Sequence, residues 1–284
     1  MTATDEGSFR GTRARRIAWQ SWSPAGDQQL KGVVTIAHGY GEHIGRYEHV
    51  ARRLNEAGFA VYGPDHHGHG KSAGKRGRVS IAVAVADLDQ LIVTISKGRH
   101  PELPQFLLGH SMGGAIALRY AMAHQNRLAG LAVSAPLAAV EGSPALLRFG
   151  RTLGLVLPAA PVSKVEPRLV SRDYAVVKAY IADPLNHHGA VPAGAARNFI
   201  LHVDTLARDV QRITLPTLLM WGTADRICPT RGSELVAANI GSEDLTVKRY
   251  EGLFHEIMNE PERARVLDDL SGWLSAHLPA AVSL

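Results

Sequence analysis

The sequence predicts a mostly parallel, doubly wound α/β sheet with an inserted helical segment, and three observations support this prediction. Short apolar runs rich in β-branched residues recur along the chain, amphipathic patterns lie between them, and one interval between runs is much longer than the others. Continuous apolar runs are typical of strands that are buried on both faces of a parallel sheet. Their alternation with helical patterns is typical of βαβ units.

The predicted elements follow one another closely. We expect an antiparallel edge hairpin within residues 1–30. The predicted core strands are then residues 33–37, 59–63, 106–109, 131–134, 217–221 and 245–250. Helices are predicted at residues 47–57, 81–97, 113–124 and 260–277, where apolar side chains recur at helical spacing.

The long interval lies between residues 134 and 217, and it is far longer than one crossover helix requires. It contains helix-like stretches at residues 145–157, 174–181 and 194–207. The predicted organisation is therefore a core made of residues 1–135 and 209–284, with residues 136–208 inserted as a helical cap, or lid.

Composition excludes several classes of protein. Among the 284 residues, 45% are hydrophobic and 20% are charged, which is an ordinary globular balance. The net charge of +5 is small and basic residues alternate with acidic ones, so no nucleic-acid partner is predicted. Cys228 is the single cysteine, which excludes an internal disulfide and a cysteine-rich metal site.

The sequence also bears on location. No run approaches the ~20 apolar residues of a membrane span, and the N-terminus lacks the apolar segment of a signal peptide. We therefore expect a cytoplasmic protein, with the membrane periphery or the cell envelope as the alternative location. The sequence leaves the oligomeric state open.

Residues 109–113 form a G-x-S-x-G pattern between an apolar strand and a helix-compatible stretch. A serine at such a strand–turn–helix junction projects above the sheet, beside a helix N-terminus that stabilises a developing oxyanion. Ser111 is therefore predicted to be a nucleophile. The alternative, a serine that caps the helix, does not require glycine on both sides.

A nucleophilic serine needs a base and an acid that orients the base. His255 follows strand 245–250 and precedes the last helix, and Asp225 follows strand 217–221. The chain order Ser111, Asp225, His255 is that of the α/β-hydrolases, so these residues are the predicted catalytic triad. A turn aspartate and a polar residue at a helix start are the alternatives.

The oxyanion hole of such an enzyme needs two backbone N–H groups. One is predicted to be that of Met112, directly after the nucleophile. The second is predicted to be that of Tyr40, in the glycine-rich loop after strand 33–37, for which a plain turn is the alternative. No metal site is predicted, since His66, His67 and His69 lie in a glycine turn without a partner cluster at ligand spacing.

Several motifs together resemble the monoacylglycerol lipases of the serine α/β-hydrolase superfamily, especially the actinobacterial-type bacterial members. These motifs are HGYGEH at 38–43, GRY at 45–47, DHHGHGKS at 65–72, GHSMGG at 109–114, ADR at 224–226 and GLFHE at 252–256, with SRD at 171–173 and DPL at 183–185 in the predicted cap. The resemblance extends from about residue 9 to residue 278.

The resemblance implies an α/β-hydrolase fold and a serine hydrolase that cleaves monoacylglycerols, or similar lipid esters, to glycerol and free fatty acid through an acyl-enzyme. It implies no cofactor and a mobile cap over an acyl tunnel. It also implies that Glu42 and Arg46 pair near the oxyanion loop and bind the glycerol end of the substrate. Several animal members carry a histidine three residues after the catalytic histidine, whereas this chain has Met258 there.

Other functions share the same triad. A lysophospholipase or a broad carboxylesterase is the main alternative, an acyltransferase or thioesterase differs only in acceptor or leaving group, and a non-enzymatic binding protein would normally lack a triad member. Within the predicted cap, Leu146, Phe149 and Leu153 share one face of a helix. That face is typical either of a helix that contacts a lipid surface or of one that packs on its own domain.

Overall fold

The computed structural model of the chain describes residues 2–24, 26 and 28–279. Met1, Ala25, Asp27 and residues 280–284, which belong to the predicted core, therefore lie outside the described residues. The strands are β1 Thr2–Arg10, β2 Arg16–Pro24, β3 Gly32–Ala37, β4 Phe59–Pro64, β5 Gln105–His110, β6 Gly130–Ser134, β7 Pro161–Ser163, β8 Val191–Pro192, β9 Thr217–Gly222 and β10 Leu245–Tyr250. The α-helices are α1 Glu48–Glu56, α2 Ile81–Gln90, α3 Lys97–Arg99, α4 Met112–His124, α5 Pro144–Val156, α6 Tyr174–Ala182, α7 Ala193–Asp209, α8 Thr230–Asn239 and α9 Arg263–Ala276.

Eight strands form one sheet in the order β1-β2-β4-β3-β5-β6-β9-β10. The six strands from β4 to β10 in that order are mutually parallel, and the β1–β2 hairpin adds antiparallel strands at one edge. The mostly parallel sheet, the edge hairpin and the six core strands are thus found where the sequence predicts them. The carboxyl ends of the parallel strands all lie at the same edge of the sheet.

Helices cover both faces of the sheet because the core strands are apolar on both sides. Leu107, Val133 and Leu219 pack in one buried cluster with residues of α2, α4, α7 and α8. Phe106 and Leu218, their chain neighbours, point to the opposite face and pack with residues of α1 and α9. The two clusters make the sheet the centre of a doubly wound core.

The segment predicted as one helix at 81–97 is helical throughout, but its hydrogen bonding changes along its length. The α-helix α2 continues as a π-helix over Leu91–Ser96 before α3. The Thr94 hydroxyl donates a hydrogen bond to the Gln90 carbonyl at 2.6 Å, within this wider turn. Such back-bonding by threonine competes with regular helical bonding.

Helices α5, α6 and α7 lie between β6 and β9, in the interval predicted to hold the cap. Helix α7 crosses the predicted boundary at residue 208 without a break. Its carboxyl-terminal part belongs to the core, where Leu206 is fully buried, so α7 also serves as the crossover from β6 to β9. The division into residues 136–208 and a core stays a prediction.

Helix α5 packs against α7 through two glycines. A Cβ atom at Gly154 would lie 2.4 Å from the carbonyl oxygen of Ala193, and one at Gly150 would lie 3.2 Å from Ile200. The small residues therefore allow close contact between the two helices. The neighbouring apolar face of α5 does not take part and is solvent-exposed, with Phe149 60% and Leu146 57% accessible.

No helix in the described part of the chain is both long enough and apolar enough to cross a bilayer. The predicted location stays a prediction.

The connection from β5 into α4 is a sharp turn centred on Ser111, whose backbone has φ 57° and ψ −119°. This conformation is rarely adopted by non-glycine residues and carries strain. Its neighbours must be small: a Cβ at Gly109 would lie 2.4 Å from the carbonyl oxygen of Gly113, and one at Gly113 would lie 1.9 Å from that of Ala37. The G-x-S-x-G pattern is therefore a steric requirement of this turn.

The substitution Gly113→Ala tests this requirement. The added methyl would collide with a backbone carbonyl of β3 that cannot rotate away, so we expect a loss of about 2–3 kcal/mol in the free energy of unfolding. Urea denaturation measures it. Gly272→Ala is the matched control, because Gly272 lies in α9 with no heavy atom within 4 Å of the new Cβ. The control should gain about 0.5–1 kcal/mol, and equal stabilities of the two variants would refute the steric argument.

Candidate active site

The candidate site is a cavity of about 420 Å³ at the carboxyl edge of the sheet, beneath the helices of the predicted cap. Many of the residues that line it belong to core strands or the loops that follow them; among them are Tyr40, Glu42, Ser111, Met112 and His255. The opposite wall is largely apolar and comes from the predicted cap, with Leu147, Phe199 and Ile200 among its residues. Catalytic groups in open α/β sheets are expected at this edge.

Ser111 stands on the turn after β5 and its side chain faces the cavity. Its residue is only 8% accessible. Within the described residues, the contact of its hydroxyl is the Cys228 sulfur at 3.8 Å, rather than the imidazole of His255. Bonds between nucleophile and base are often long in unliganded hydrolases and shorten when substrate binds.

Asp225 and His255 are brought together although 30 positions separate them in the chain. The Nδ1 atom of His255 lies 2.7 Å from Oδ2 of Asp225. The second carboxylate oxygen accepts the backbone N–H groups of Ile227 and Cys228 at 2.8 and 3.0 Å. Since Asp225 accepts the proton on Nδ1, the Nε2 atom of His255 is available to act as a base.

The two partners shift each other's pKa. Burial raises the pKa of Asp225, but the imidazole of His255 and the two backbone N–H groups lower it more, so the net pKa is below its usual value. Burial lowers the pKa of His255, but the charge and hydrogen bond of Asp225 outweigh burial, and the net shift is upward. The geometry therefore favours an imidazolium paired with a carboxylate, the state that forms when a serine proton is removed.

The two predicted oxyanion-hole residues lie on different segments, Met112 at the start of α4 and Tyr40 in the loop after β3. Met112 is the first residue of α4, so its N–H has no acceptor within the helix. Tyr40 follows Gly39 in the loop after β3, and its ring packs edge-on against His69 and Phe199 at centroid distances of 5.3 and 5.7 Å. Both residues line the cavity, and their assignment to an oxyanion hole stays a prediction.

The buried side chain of Glu42 stabilises the loop after β3 through hydrogen bonds. Its Oε1 atom accepts the Gly39 N–H at 2.6 Å and the Tyr47 hydroxyl at 2.7 Å. Its Oε2 atom lies 2.5 Å from the Arg46 guanidinium. Burial raises the pKa of Glu42, but Arg46, with smaller contributions from His110, His38 and the Tyr47 hydroxyl, outweighs burial, and the pKa falls to about 2. The carboxylate is therefore charged and fully engaged within the protein.

Arg46 forms the centre of a buried ion network. Besides Glu42, it contacts both carboxylate oxygens of Glu256 at 2.7 Å, and the ring of Tyr180 lies 4.8 Å from its guanidinium carbon. Arg46 is absent from the residues that line the described cavity, whereas Glu42 is among them. These contacts favour a role in shaping the loop, and the predicted binding of substrate by Glu42 and Arg46 stays a prediction.

The histidine-rich turn after β4 is both buried and hydrogen-bonded, with the N–H of His66 donating to Nε2 of His38 at 2.9 Å. His66 and His69 are each 1% accessible, and the ring of His66 lies 4.3 Å from that of His38. Both ring nitrogens of His66 have no hydrogen-bond partner within the described residues. Burial lowers the pKa of all three histidines, that of His69 to about 3. The cluster is thus held neutral beneath the oxyanion loop.

The segment after α6 also touches the oxyanion loop. The Nε2 atom of His43 lies 2.8 Å from Oδ2 of Asp183, and the N–H of His187 donates to the Gly41 carbonyl at 2.8 Å. The predicted cap is therefore attached to the loop that carries Tyr40.

The motifs GLFHE and DPL contain Glu256 and Asp183, but the sequence assigned no role to either residue and did not predict that Cys228 contacts Ser111. A signal for Glu256 existed: it is a carboxylate next to the predicted base in a segment that is otherwise apolar. The other two have no local signal, because their partners are more than a hundred residues away in the chain. Metal-binding arrangements of three or more histidine, cysteine or carboxylate side chains are not found in the part of the chain that the structure describes.

Comparisons with known proteins agree with this geometry. The profile of the family described as serine aminopeptidase S33 matches residues 28–262. A monoacylglycerol lipase of Mycolicibacterium smegmatis is 42% identical over 96% of this chain and 98% of its own length. A monoglyceride lipase of Rattus norvegicus is 36% identical over 92% of this chain and 87% of its own length.

Comparison with solved structures also supports the predicted fold. The monoacylglycerol lipase of Paleococcus ferrophilus superimposes with a TM-score of 0.81 and 32% identity, over 97% of this chain and 99% of its own. A monoglyceride lipase of Saccharomyces cerevisiae has a TM-score of 0.86 at 22% identity, over 97% of this chain and 96% of its own, a likeness of fold. The predicted α/β-hydrolase fold is thereby confirmed.

The buried histidine cluster predicts sensitivity to acid. The unfolded chain binds protons on these histidines near pH 6.5, whereas the folded protein resists protonation until much lower pH. Because the unfolded state then binds more protons, the free energy of unfolding should fall as the pH drops below about 6.5. The substitution His66→Phe removes one such histidine. It should therefore reduce the fall in the free energy of unfolding between pH 6.5 and 5 by roughly 1–2 kcal/mol.

Urea unfolding at the two pH values measures this difference. His124→Gln, at the partly exposed end of α4, is the control and should leave the pH dependence unchanged. An identical pH dependence in wild type and His66→Phe would show that His66 does not contribute.

Proposed function

The chain belongs to the monoacylglycerol lipase family of serine α/β-hydrolases, as the resemblance of its motifs predicted, and we propose that it hydrolyses monoacylglycerols to glycerol and free fatty acid. The observation that supports this most strongly is the hydrogen-bonded pair of His255 and Asp225, with His255 and Ser111 lining the same largely apolar cavity of about 420 Å³. The 42% identity with a named monoacylglycerol lipase over nearly the whole chain points to the same substrate class.

In the proposed reaction, His255 Nε2 removes the proton of Ser111 as its oxygen attacks the ester carbonyl. Asp225 orients the imidazole through Nδ1 and stabilises the imidazolium. The N–H groups of Tyr40 and Met112 hold the oxyanion, and each such donor contributes about 3–4 kcal/mol to transition-state stabilisation. Glycerol leaves with the proton from His255, and water then cleaves the acyl-enzyme by the same steps.

We propose that residues 136–208 act as a cap that receives the acyl chain. Apolar side chains of this segment face Ser111 across the cavity, and Leu147, Phe199 and Ile200 are examples. Burial of an acyl chain against them contributes roughly 25 cal/mol per Å² of apolar surface removed from water. A cavity with this lining favours a fatty acyl group over a sugar or a peptide.

The cap is also proposed to contact lipid surfaces. Helix α5 and the residue after it expose five large apolar side chains within a short stretch, with Leu155 69%, Val156 67% and Leu157 57% accessible in addition to Leu146 and Phe149. The basic side chains of Arg148 and Lys164 are exposed nearby. Apolar anchors beside basic residues are typical of helices that dock on anionic membranes. Because Leu147 of the same helix lines the cavity, a lipid could pass directly from the surface into the site.

The proposed reaction is tested with a substrate panel of monoolein, lysophosphatidylcholine and a short p-nitrophenyl ester. We expect the wild type to hydrolyse monoolein with the highest kcat/KM, and Ser111→Ala to lose at least about a thousandfold while it retains its melting temperature. A faster reaction with lysophosphatidylcholine would favour the lysophospholipase alternative, and a preference for the short ester would favour a broad carboxylesterase. If Ser111→Ala kept an activity comparable to that of the wild type, the proposed mechanism would be refuted.

Lipid contact is tested by flotation with vesicles that contain anionic phospholipid. The double substitution Leu146→Ser/Phe149→Ser should reduce the bound fraction severalfold, because it removes two exposed apolar anchors. Its hydrolysis of a water-soluble ester should stay at the wild-type rate. Val93→Ser is the matched control, since Val93 is 43% accessible but lies outside the cap. Equal flotation of wild type and the double variant would contradict the proposed contact.

A further inference from the structure

We propose that Glu256 is a positioning residue, which fastens the loop of the catalytic base to the oxyanion loop through Arg46. This inference rests on the proposed function, in which Ser111 attacks an ester, but the positioning role applies to any ester and not only to monoacylglycerols. The contacts, burial and charge of Glu256 support it.

The contacts form a continuous chain between the two loops. Glu256 directly follows His255. Its two carboxylate oxygens accept hydrogen bonds from the two terminal nitrogens of Arg46, each at 2.7 Å. Arg46 in turn contacts Glu42, whose other oxygen accepts the N–H of Gly39. Gly39 precedes Tyr40 in the chain. The backbone that carries the base is thus joined to the backbone that carries the proposed oxyanion donor by three side chains.

Burial indicates that this arrangement is costly. Glu42 and Glu256 are 4% and 5% accessible, and the Arg46 side chain is 12% accessible. Buried charges are expensive to desolvate, and an apolar group of the same volume often stabilises a fold better. A network that contributes to positioning is a better explanation of three buried charges beside a catalytic base than stability alone.

The charges do not cancel. Two carboxylates share one guanidinium, so the network has a net charge of −1 beside an imidazole that becomes positive during the reaction. Both carboxylates raise the pKa of His255, in addition to the larger effect of Asp225. Bidentate geometry makes the Arg46–Glu256 contact directional as well as strong. The network therefore has two effects, one on position and one on charge.

Other groups face the network from the elements packed against it. They are His38 after β3, Asp225 after β9, His110 at the end of β5, Tyr47 and His49 before and within α1, Tyr180 in α6 and Asn259 after the base. Burial lowers the pKa of His110 to about 4 and also lowers that of His38, so these rings do not offset the carboxylates near pH 7. Arg46 therefore neutralises one of the two carboxylates, and the network keeps its net charge of −1.

Direct contact of Glu256 with substrate is the competing interpretation, because Glu256 lines the cavity. Both of its oxygens are already engaged, however, one with Arg46 and the other with Arg46 and the side-chain amide of Asn259 at 2.8 Å. A carboxylate in this state acts through its neighbours. It should therefore affect kcat more than KM.

The test is the substitution Glu256→Gln, which keeps the size and removes the charge. We expect kcat for p-nitrophenyl butyrate to fall about ten- to a hundredfold, as misplacement of catalytic groups does, with KM changed less than about threefold. The acidic limb of kcat/KM should move to lower pH, because a carboxylate that raises the pKa of His255 is lost. Glu256→Asp retains the charge but is one methylene shorter, so it should keep the acidic limb near its wild-type pH while kcat still falls.

Asp209→Asn is the matched control. Asp209 lies 2.6 Å from Arg119 in a comparable carboxylate–arginine contact, but it lies on α7 and does not line the cavity. This variant should lower the melting temperature and leave kcat and the acidic limb unchanged. A wild-type kcat and acidic limb in a folded Glu256→Gln, or equal shifts in Asp209→Asn, would overturn the proposal.

A double-mutant cycle with Arg46→Met completes the test. If Glu256 acts through Arg46, the double variant should be no slower than the slower single variant, whereas additive losses would contradict the coupling. Labelling of Ser111 by a fluorophosphonate separates this inference from the proposed function. Slower labelling of Glu256→Gln supports the positioning role even if the wild type fails to cleave monoolein.

Discussion

The close approach of α4 to the carboxyl end of β3 is the constraint on which the rest of this structure depends. It is possible only because Gly113 has no side chain, since a Cβ there would lie 1.9 Å from the Ala37 carbonyl oxygen. The contact forces Ser111 into a strained turn and places the start of α4 beside the loop after β3. The predicted nucleophile and the two predicted oxyanion donors can then lie close together, and the strain is offset by the packing of two buried clusters against the sheet.

Around this turn the protein controls charge by burial. The imidazole of His255 is surrounded by carboxylates and its pKa is raised, while the nearby rings of His38, His66 and His69 are kept neutral by desolvation. Burial lowers the pKa of all four rings, and His255 differs because the carboxylate of Asp225, 2.7 Å from its Nδ1 atom, raises its pKa. Neutral rings beneath the oxyanion loop avoid a competing positive charge next to the base.

The cap region combines two surfaces that are usually separate. One face of α5 packs on α7 and reaches the cavity, and the other exposes large apolar side chains to the surroundings. Helix α7 joins this region to the core, because a single helix spans both. Contacts of His43 with Asp183 and of Gly41 with His187 attach the same region to the oxyanion loop. A change in cap position would therefore be transmitted to the site through backbone as well as side chains.

The sequence alone determined the edge hairpin, the six core strands, the sharp turn at Ser111 and the candidates Asp225 and His255, because apolar periodicity and glycine placement are local signals. It did not predict helix α8 or the short strands β7 and β8. It also led to the family through motifs that are contiguous in the chain. Only the tertiary structure decided that Glu256 contacts Arg46, that α7 continues unbroken past residue 208, and that the histidine turn is buried. These features arise from contacts between segments that are distant in sequence. The sheet brings such segments together, and only their arrangement in space decides which residues are buried and which side chains they contact.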